Sequence, residues 1–394
     1  MVFIYTEYAK NMNNKSVGLV REERLRFASA EEPLLLESGH TLGPVDIAYE
    51  TYGEPNEDRS NAILILHALS GDAHVAGYHH PNDKRTGWWD DMVGPGKGFD
   101  TNRYWVICSN IIGGCRGSTG PSSPNPETGE PYGLDFPFVT VGDMVQAQKK
   151  LIDHLGIKRL FAVAGGSMGG FQVLEWTIRF PEAVRSAICI ASCARLSAQA
   201  LAFNAVGRNA IMSDPGWMDG RYYGTPGPAR GLAIARIIGH ITYLSGLSMD
   251  SRFGRKLRSA DRYSFDLSTE FEIESYLQHQ GQRFIERFDA NSYLYITKAM
   301  DYFDIAQSRG SLEEAFAGVL AKYLFISYSS DWIFPTAQSR EMVRELKRTG
   351  KNVSFVEIDS PYGHDAFLVE HEQLRRIIVP FLESVGRKAQ DFET

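Results

Sequence analysis

Short runs of apolar residues alternate with amphipathic stretches along most of the chain. Residues Val141–Leu155, for example, carry Val145, Leu151 and Ile152 at helical spacing. Upstream, the short alternating segments of Leu34–Tyr52 are separated by glycines and predict antiparallel strands. Alternating strands and helices are what βαβ units require, so the pattern predicts a mostly parallel sheet. The apolar runs that predict its buried strands are Ala62–Leu66, Tyr104–Ser109, Leu160–Ala164 and Ala187–Ala191.

The pattern changes after Cys193, because residues 194–317 contain no convincing strand. The amphipathic stretches there predict helices at Arg230–Leu247, Ile273–Phe288 and Ser292–Ala306. Alternation then resumes with a strand at Tyr323–Ser327, a helix at Gln338–Arg348, a strand at Val353–Ile358 and a helix from Ala366 to Glu383. We therefore predict one α/β core in two parts, 24–193 and 318–386, interrupted by a helical lid at 194–317. Residues 1–23 form an N-terminal extension, either mobile or partner-binding.

Charge and composition exclude several classes of protein. The 394 residues include 41 Lys and Arg against 48 Asp and Glu, a net charge of −7, and no basic run predicts binding to nucleic acid or to an anionic membrane. The apolar runs are too short for a membrane span. The first residues lack the basic and apolar regions of a secretion signal, so we expect a cytoplasmic protein. The four cysteines form no metal or disulfide pattern, and we expect free thiols.

The sequence Gly165-Gly166-Ser167-Met168-Gly169 follows one predicted strand and precedes the helix-compatible Phe171–Phe180. A GxSxG motif in this context predicts a nucleophile elbow, a turn so tight that small residues must stand two positions before and after the serine. Gly165 and Gly169 occupy those positions. The alternative is a glycine-rich turn that serves only close packing.

A serine nucleophile needs a base, and the base needs an acid that orients it. Asp331 and His364 each follow a predicted strand, and their separation of 33 positions leaves room for one helix and one strand. The carboxyl ends of parallel strands meet at one edge of a sheet, so we predict a triad of Ser167, Asp331 and His364. The alternative is a surface aspartate and a helix-capping histidine.

Acyl transfer also needs an oxyanion hole. The residue after the nucleophile, Met168, supplies one backbone N–H, and Leu69, in the loop after Ala62–Leu66, is the best candidate for the second.

No metal site is predicted, because the neighbouring histidines lack the spacing of zinc ligands. The loop Gly94–Gly98 lacks the strand and helix that frame a phosphate-binding loop, and we interpret it as an ordinary loop. The histidines are His67, His74, His79 and His80.

Several longer motifs resemble the homoserine O-acetyltransferase family. The resemblance extends over about nine-tenths of the chain and leaves out residues 1–23. Two departures are mild: Ser70 stands where many members have Thr, and Phe171 where Met is common. The motifs are His67–His74, Asn110–Pro121, Gly165–Trp176, Arg208–Ile211, Asp214-Pro215, Gly231–Arg236, Lys298–Asp304 and Gly363–Asp365.

The resemblance implies an α/β-hydrolase fold with an inserted helical lid, and a homodimer through that lid. It implies transfer of an acetyl group from the co-substrate acetyl-CoA to the hydroxyl of L-homoserine in methionine biosynthesis, through an acetyl-serine and with no permanently bound cofactor. Ser167 would be the nucleophile, His364 the base and Asp331 its orienting acid.

The resemblance also implies that Arg236 binds the homoserine carboxylate and Asp365 its amine. The alternatives are an arginine paired within the lid and an aspartate that caps the last helix. A succinyl donor, an L-serine acceptor and hydrolysis by water remain rival activities. A noncatalytic interaction protein is a further alternative, and the complete triad argues against it.

Overall fold

The computed structural model describes residues 16–258 and 262–390. Its main sheet has eight strands in the order β1-β2-β4-β3-β5-β6-β7-β8. The pairs β1–β2 and β2–β4 are antiparallel, and every other pair is parallel. The predicted mostly parallel sheet is therefore confirmed. Its strands are β1 (Glu23–Phe27), β2 (Val45–Tyr52), β3 (Ala62–Leu66), β4 (Trp105–Ser109), β5 (Ala162–Gly166), β6 (Ser186–Ile190), β7 (Lys322–Tyr328) and β8 (Val353–Ile358).

Helices cover the sheet and form the segment between β6 and β7. In that segment the described residues contain helices and no strand of the sheet, as predicted. The helices are α1 (Val141–His154), α2 (Met168–Arg179), α3 (Ala198–Met212), α4 (Ala229–Tyr243), α5 (Gly246–Arg252), α6 (Glu272–Ile285), α7 (Ala290–Asp301), α8 (Leu312–Ala317), α9 (Thr336–Arg348), α10 (Ala366–Val369) and α11 (His371–Gln390). Two short strand pairs, Leu34–Leu35 with Thr41–Leu42 and Val93–Gly94 with Phe99–Asp100, lie outside the main sheet.

The central strands are apolar throughout because both faces of the sheet are covered. Leu64 and Leu66 of β3 pack into one hydrophobic core, and Ile63 and Ile65 pack into a second core on the opposite face. All residues of β3 are buried. A strand with two buried faces cannot alternate apolar and polar residues, which explains the continuous apolar run in the sequence.

Most predicted boundaries differ from the structure by one to a few residues, and the predicted helix Ser292–Ala306 ends at Asp301. Three differences have a clear structural basis. The third apolar run begins with Leu160, but that residue bridges Val184 outside the sheet, and β5 extends instead to Gly166. The predicted helix Arg230–Leu247 ends at Tyr243, because Ser245 caps a new helix by accepting the Ser248 N–H at 2.9 Å. The final helix is interrupted at Glu370, between α10 and α11.

The segment before β1 contacts the core where the structure describes it. Leu19 forms a bridge with Tyr78, and the Val20 N–H donates to the Tyr78 carbonyl at 2.9 Å. Since β1 begins at Glu23, the predicted domain boundary at residue 24 falls inside a strand. Residues 1–15 of the predicted extension lie outside the described residues.

No single helix within residues 16–258 and 262–390 has both the length and the apolar composition to cross a bilayer. Helices α4 and α5 reach that length and apolar composition only when they are counted as one segment, and the chain bends by 102° between them.

Candidate active site

Ser167 occupies the tight turn between β5 and α2. Its backbone has φ 57° and ψ −125°, a conformation that side chains rarely adopt. The Ser167 N–H donates to the Ile190 carbonyl at 3.0 Å, and the Ser167 carbonyl accepts from Ser192 Oγ at 3.0 Å. Hydrogen bonds to β6 and to the loop after it thus hold Ser167 in this strained conformation. It is the backbone conformation of a nucleophile elbow.

The glycines of the motif are required by close backbone contacts. A Cβ atom on Gly165 would lie 2.6 Å from the backbone of Gly169, and one on Gly169 would lie 2.1 Å from the Leu66 carbonyl oxygen. Neither site can hold a larger residue without moving a strand or the helix. The spacing that identified the motif therefore has a steric cause in the structure.

Asp331 and His364 are hydrogen-bonded to each other in the loops after β7 and β8. His364 Nδ1 and Asp331 Oδ2 are 2.7 Å apart. The other Asp331 oxygen accepts the N–H groups of Ile333 at 3.1 Å and Phe334 at 2.9 Å. Both side chains are buried. Burial alone would lower the pKa of His364, but the Asp331 carboxylate outweighs it and raises that pKa above its ordinary value.

The lid lies directly against this pair. Gly363 has φ 72°, and a Cβ there would lie 2.6 Å from the Ser245 nitrogen and 2.7 Å from the Tyr243 carbonyl oxygen. Trp332 Nε1 donates to the Leu244 carbonyl at 3.1 Å. The segment between α4 and α5 therefore packs on both loops that carry the acid and the base.

One cavity is lined by three of the predicted site residues, whereas Asp331, Met168, Arg236 and Asp365 are not among its lining residues. Ser167 and His364 both line it, with Leu69 beside them. Met168 is the first residue of α2, so its N–H has no acceptor within the helix. Leu69 stands in a tight turn closed by a hydrogen bond from the Gly71 N–H to the Ala68 carbonyl at 3.0 Å. Leu69 thus lines the same cavity as Ser167, and Met168 follows the serine directly; the oxyanion hole formed by their N–H groups stays a prediction.

Arg236 projects from the lid helix α4 toward the loop after β3. Its Nη1 donates to Ser70 Oγ at 3.3 Å, and its guanidinium lies 4.8 Å from the ring centre of Phe284. None of the ion pairs within 4.0 Å in the described parts of the chain includes Arg236. Arg236 thus has no carboxylate partner in the lid, but lid rings contact its guanidinium, so the alternative of an arginine paired within the lid stays open.

Asp365 stands at the N-cap position of α10, but its side chain makes no capping hydrogen bond. The helix-cap alternative is thus wrong. Burial raises the pKa of Asp365, and the positive charges of His364 and Arg236 oppose that shift. These couplings place the carboxylate near both the predicted base and the predicted carboxylate-binding arginine.

The structure also groups residues that the sequence did not connect. Buried Glu50 accepts hydrogen bonds from His74 Nδ1 at 3.0 Å, His79 Nε2 at 2.6 Å and the Tyr52 hydroxyl at 2.6 Å. Glu50 precedes these histidines by more than twenty residues on another element, so no spacing could predict the cluster. Glu50, His74 and His79 each offer one atom that could bind a metal ion, and these three atoms lie within 4.8 Å of one another. Three donors already satisfy the carboxylate, and the absence of a metal remains a prediction.

The glycine loop Gly94–Gly98 has a simple structural explanation. The Gly96 N–H donates to Asp100 Oδ1 at 2.7 Å. The Asp100 carboxylate therefore already accepts the hydrogen bond from the loop N–H that a phosphate would need. This is expected for an ordinary loop.

Comparisons with known proteins agree with this architecture. Residues 61–371 match the family described as the alpha/beta hydrolase fold. A homoserine O-acetyltransferase of Solidesulfovibrio magneticus is 54% identical over 382 residues, which cover 96% of each protein. The crystal structure of homoserine O-acetyltransferase from Bacillus anthracis is 33% identical with a TM-score of 0.87, over 92% of this chain and 98% of that one. Esterase E22 is 30% identical with a TM-score of 0.84, over 92% of this chain and 100% of that one. The chain belongs to the homoserine O-acetyltransferase family, within the α/β-hydrolase fold.

Proposed function

We propose that this enzyme transfers the acetyl group of acetyl-CoA to the hydroxyl of L-homoserine, a reaction of methionine biosynthesis. The observation that carries the proposal is the 2.7 Å hydrogen bond between His364 and Asp331 beside the cavity that holds Ser167. Asp331 fixes the ring with Nδ1–H toward its carboxylate, which leaves Nε2 free to accept a proton.

In the first half-reaction, Ser167 Oγ attacks the thioester carbonyl while His364 Nε2 takes the serine proton. The C–S bond then breaks, and the CoA sulfur leaves with the proton from His364. An acetyl ester on Ser167 remains. The N–H groups of Leu69 and Met168 stabilise the negative oxygen that forms during the attack.

In the second half-reaction, the homoserine hydroxyl gives its proton to His364 and attacks the acetyl ester. The bond to Ser167 Oγ breaks, Oγ regains the proton, and O-acetylhomoserine leaves. No bound cofactor is needed, because the acyl ester stores the acetyl group between the two steps.

Arg236 and Asp365 suit an amino-acid acceptor. A guanidinium without a carboxylate partner can bind the homoserine carboxylate, and a buried carboxylate nearby can bind its ammonium. A bare acetyl group offers neither charge, so both side chains would act on the acceptor step alone.

We further propose a homodimer through the lid. Large apolar side chains are exposed on α4 and α5, among them Ile234, Ile241 and Leu247, whose exposed fraction is 70%. Exposed apolar groups on neighbouring helices are typical of subunit contacts. The proposal also keeps the expectation of a cytoplasmic enzyme.

Comparing kcat/KM for acetyl-CoA and succinyl-CoA, each with L-homoserine, L-serine or water, tests this function. We expect acetyl-CoA with L-homoserine to give the highest value. Preference for succinyl-CoA or for L-serine would contradict the substrate assignment.

Hydrolysis is the second candidate, and the likeness to esterase E22 favours it. The same experiment separates the two, because a hydrolase would consume acetyl-CoA at a rate that does not depend on the amino acid.

A further inference from the structure

Two guanidinium groups of the lid converge on Ser70. Arg236 Nη1 donates to Ser70 Oγ at 3.3 Å, and Arg287 Nη1 donates to the Ser70 carbonyl at 2.9 Å. Both groups also lie against the ring of Phe284, at 4.8 Å and 5.3 Å from its centre. Two positive charges are thus held side by side, one from α4 and one from the segment after α6.

No ion pair among the described residues includes Arg236 or Arg287, although the Asp72 charge acts on Arg287 from beyond 4.0 Å. No carboxylate lies within 4.0 Å of either guanidinium among them, and nearby Asp72 is 3.4 Å from Arg116 instead. Burial and the neighbouring Arg236 lower the pKa of Arg287 to about 10, so the Arg287 guanidinium is still charged at neutral pH. Like charges brought together in a partly desolvated site are unfavourable unless an anion binds between them.

The position of the pair indicates which anion binds. Ser70 follows Leu69, which lines the cavity with Ser167, so the two guanidiniums contact the residue next to the wall of that cavity without lining it themselves. The positive charge of Arg236 also opposes the rise in the pKa of Asp365. Two cations next to one anion match the carboxylate and ammonium of an amino acid, since a guanidinium pair can hold both carboxylate oxygens.

We propose that Arg287 is a second carboxylate-binding residue, which acts with Arg236 on the α-carboxylate of the acceptor and so selects amino-acid acceptors. This inference rests on the proposed function. The shared chemistry is recognition of an oxyanion, and a phosphate of the CoA donor is the other possible source.

The test compares Arg287→Met, Arg287→Lys and the control Arg195→Met, a half-exposed lid arginine. In Arg287→Met, we expect kcat/KM for L-homoserine to fall on the order of 30- to 300-fold, mainly through KM, because a buried charge loses its partner. Arg287→Lys should recover part of the loss. In the control Arg195→Met, kcat/KM for L-homoserine should change less than about twofold. In Arg287→Met, the burst of thiol release with acetyl-CoA alone and the KM for acetyl-CoA should also change less than about twofold.

A carboxylate-free acceptor, 2-aminobutane-1,4-diol, sharpens the test. With this acceptor, Arg287→Met should lose less than about threefold relative to the unmodified enzyme, because the group that Arg287 binds is missing.

Other outcomes overturn the inference in distinguishable ways. A raised KM for acetyl-CoA would mean that Arg287 binds a donor phosphate. Equal losses with both acceptors would mean that it only supports the Ser70 loop. An unchanged KM for homoserine in an active enzyme would refute the inference alone, whereas an unmodified enzyme that ignores homoserine would refute the proposed function.

Discussion

The turn that carries Ser167 and the acceptor side of the cavity are built in different ways. At the turn, close backbone contacts require glycine at positions 165 and 169. A Cβ atom on Gly165 or Gly169 would collide with neighbouring backbone atoms. On the acceptor side, Arg236 and Arg287 come from separate lid segments and meet at a loop of the core. The position of Ser167 thus depends on local geometry, whereas the proposed recognition of the acceptor depends on how the lid packs.

Replacing Ser167 should give the largest effect, because the nucleophile belongs entirely to the local turn. We expect Ser167→Ala to reduce kcat on the order of 10⁶-fold, the loss seen when a triad nucleophile is removed. The melting temperature should stay within a few degrees, since alanine is small enough for the elbow. Steady-state kinetics with a thermal melt check both, and near-normal turnover in the folded variant would contradict the assignment.

Asp331→Asn should cost less, on the order of 10⁴-fold in kcat, because the base remains but its orienting carboxylate is lost. Asparagine keeps an oxygen for the N–H groups of Ile333 and Phe334, so the fold should persist. The measurement is kcat for the purified variant. A loss below tenfold would mean that Asp331 does not orient His364.

Arg236→Leu should separate the two regions most clearly. We expect a loss of roughly 30- to 4000-fold in kcat/KM for homoserine, which corresponds to truncating a buried charge pair. The burst of thiol release with acetyl-CoA alone should survive, because the donor step depends on the turn that carries Ser167 and not on Arg236. A burst reduced as strongly as the homoserine step would assign Arg236 to the donor or to lid closure.

The pH dependence of acylation gives the smallest effect. His364 must be neutral to accept the serine proton, so the burst rate should rise with pH and level off above the pKa of His364. Because Asp331 raises that pKa, the midpoint should lie above the ordinary imidazole value of about 6.5. In Asp331→Asn, only the Asp365 charge opposes the effect of burial, and the midpoint should move to lower pH. A midpoint that is the same in both enzymes would contradict the coupling.

Sequence reasoning succeeded where chemistry or sterics act over a few residues. The alternating runs predicted the sheet, and the elbow glycines predicted the strained turn at Ser167. It also paired Asp331 with His364, since parallel strands bring their carboxyl ends together.

The sequence could not reveal contacts made by tertiary packing. Arg287 lies far from Ser70 in the chain, and Glu50 far from His79, so neither contact leaves a spacing signal. The break after Tyr243 depended on one serine cap that competes with an otherwise helical pattern. In hindsight, the Ser245 side chain was the only local signal for that break.

The covalent intermediate tests the central claim most directly. The enzyme mixed with acetyl-CoA alone should release about one thiol per active site in a burst, and intact-protein mass spectrometry should detect one added acetyl group that maps to Ser167. Rapid turnover with homoserine, but with neither burst nor adduct in its absence, would contradict a nucleophilic Ser167.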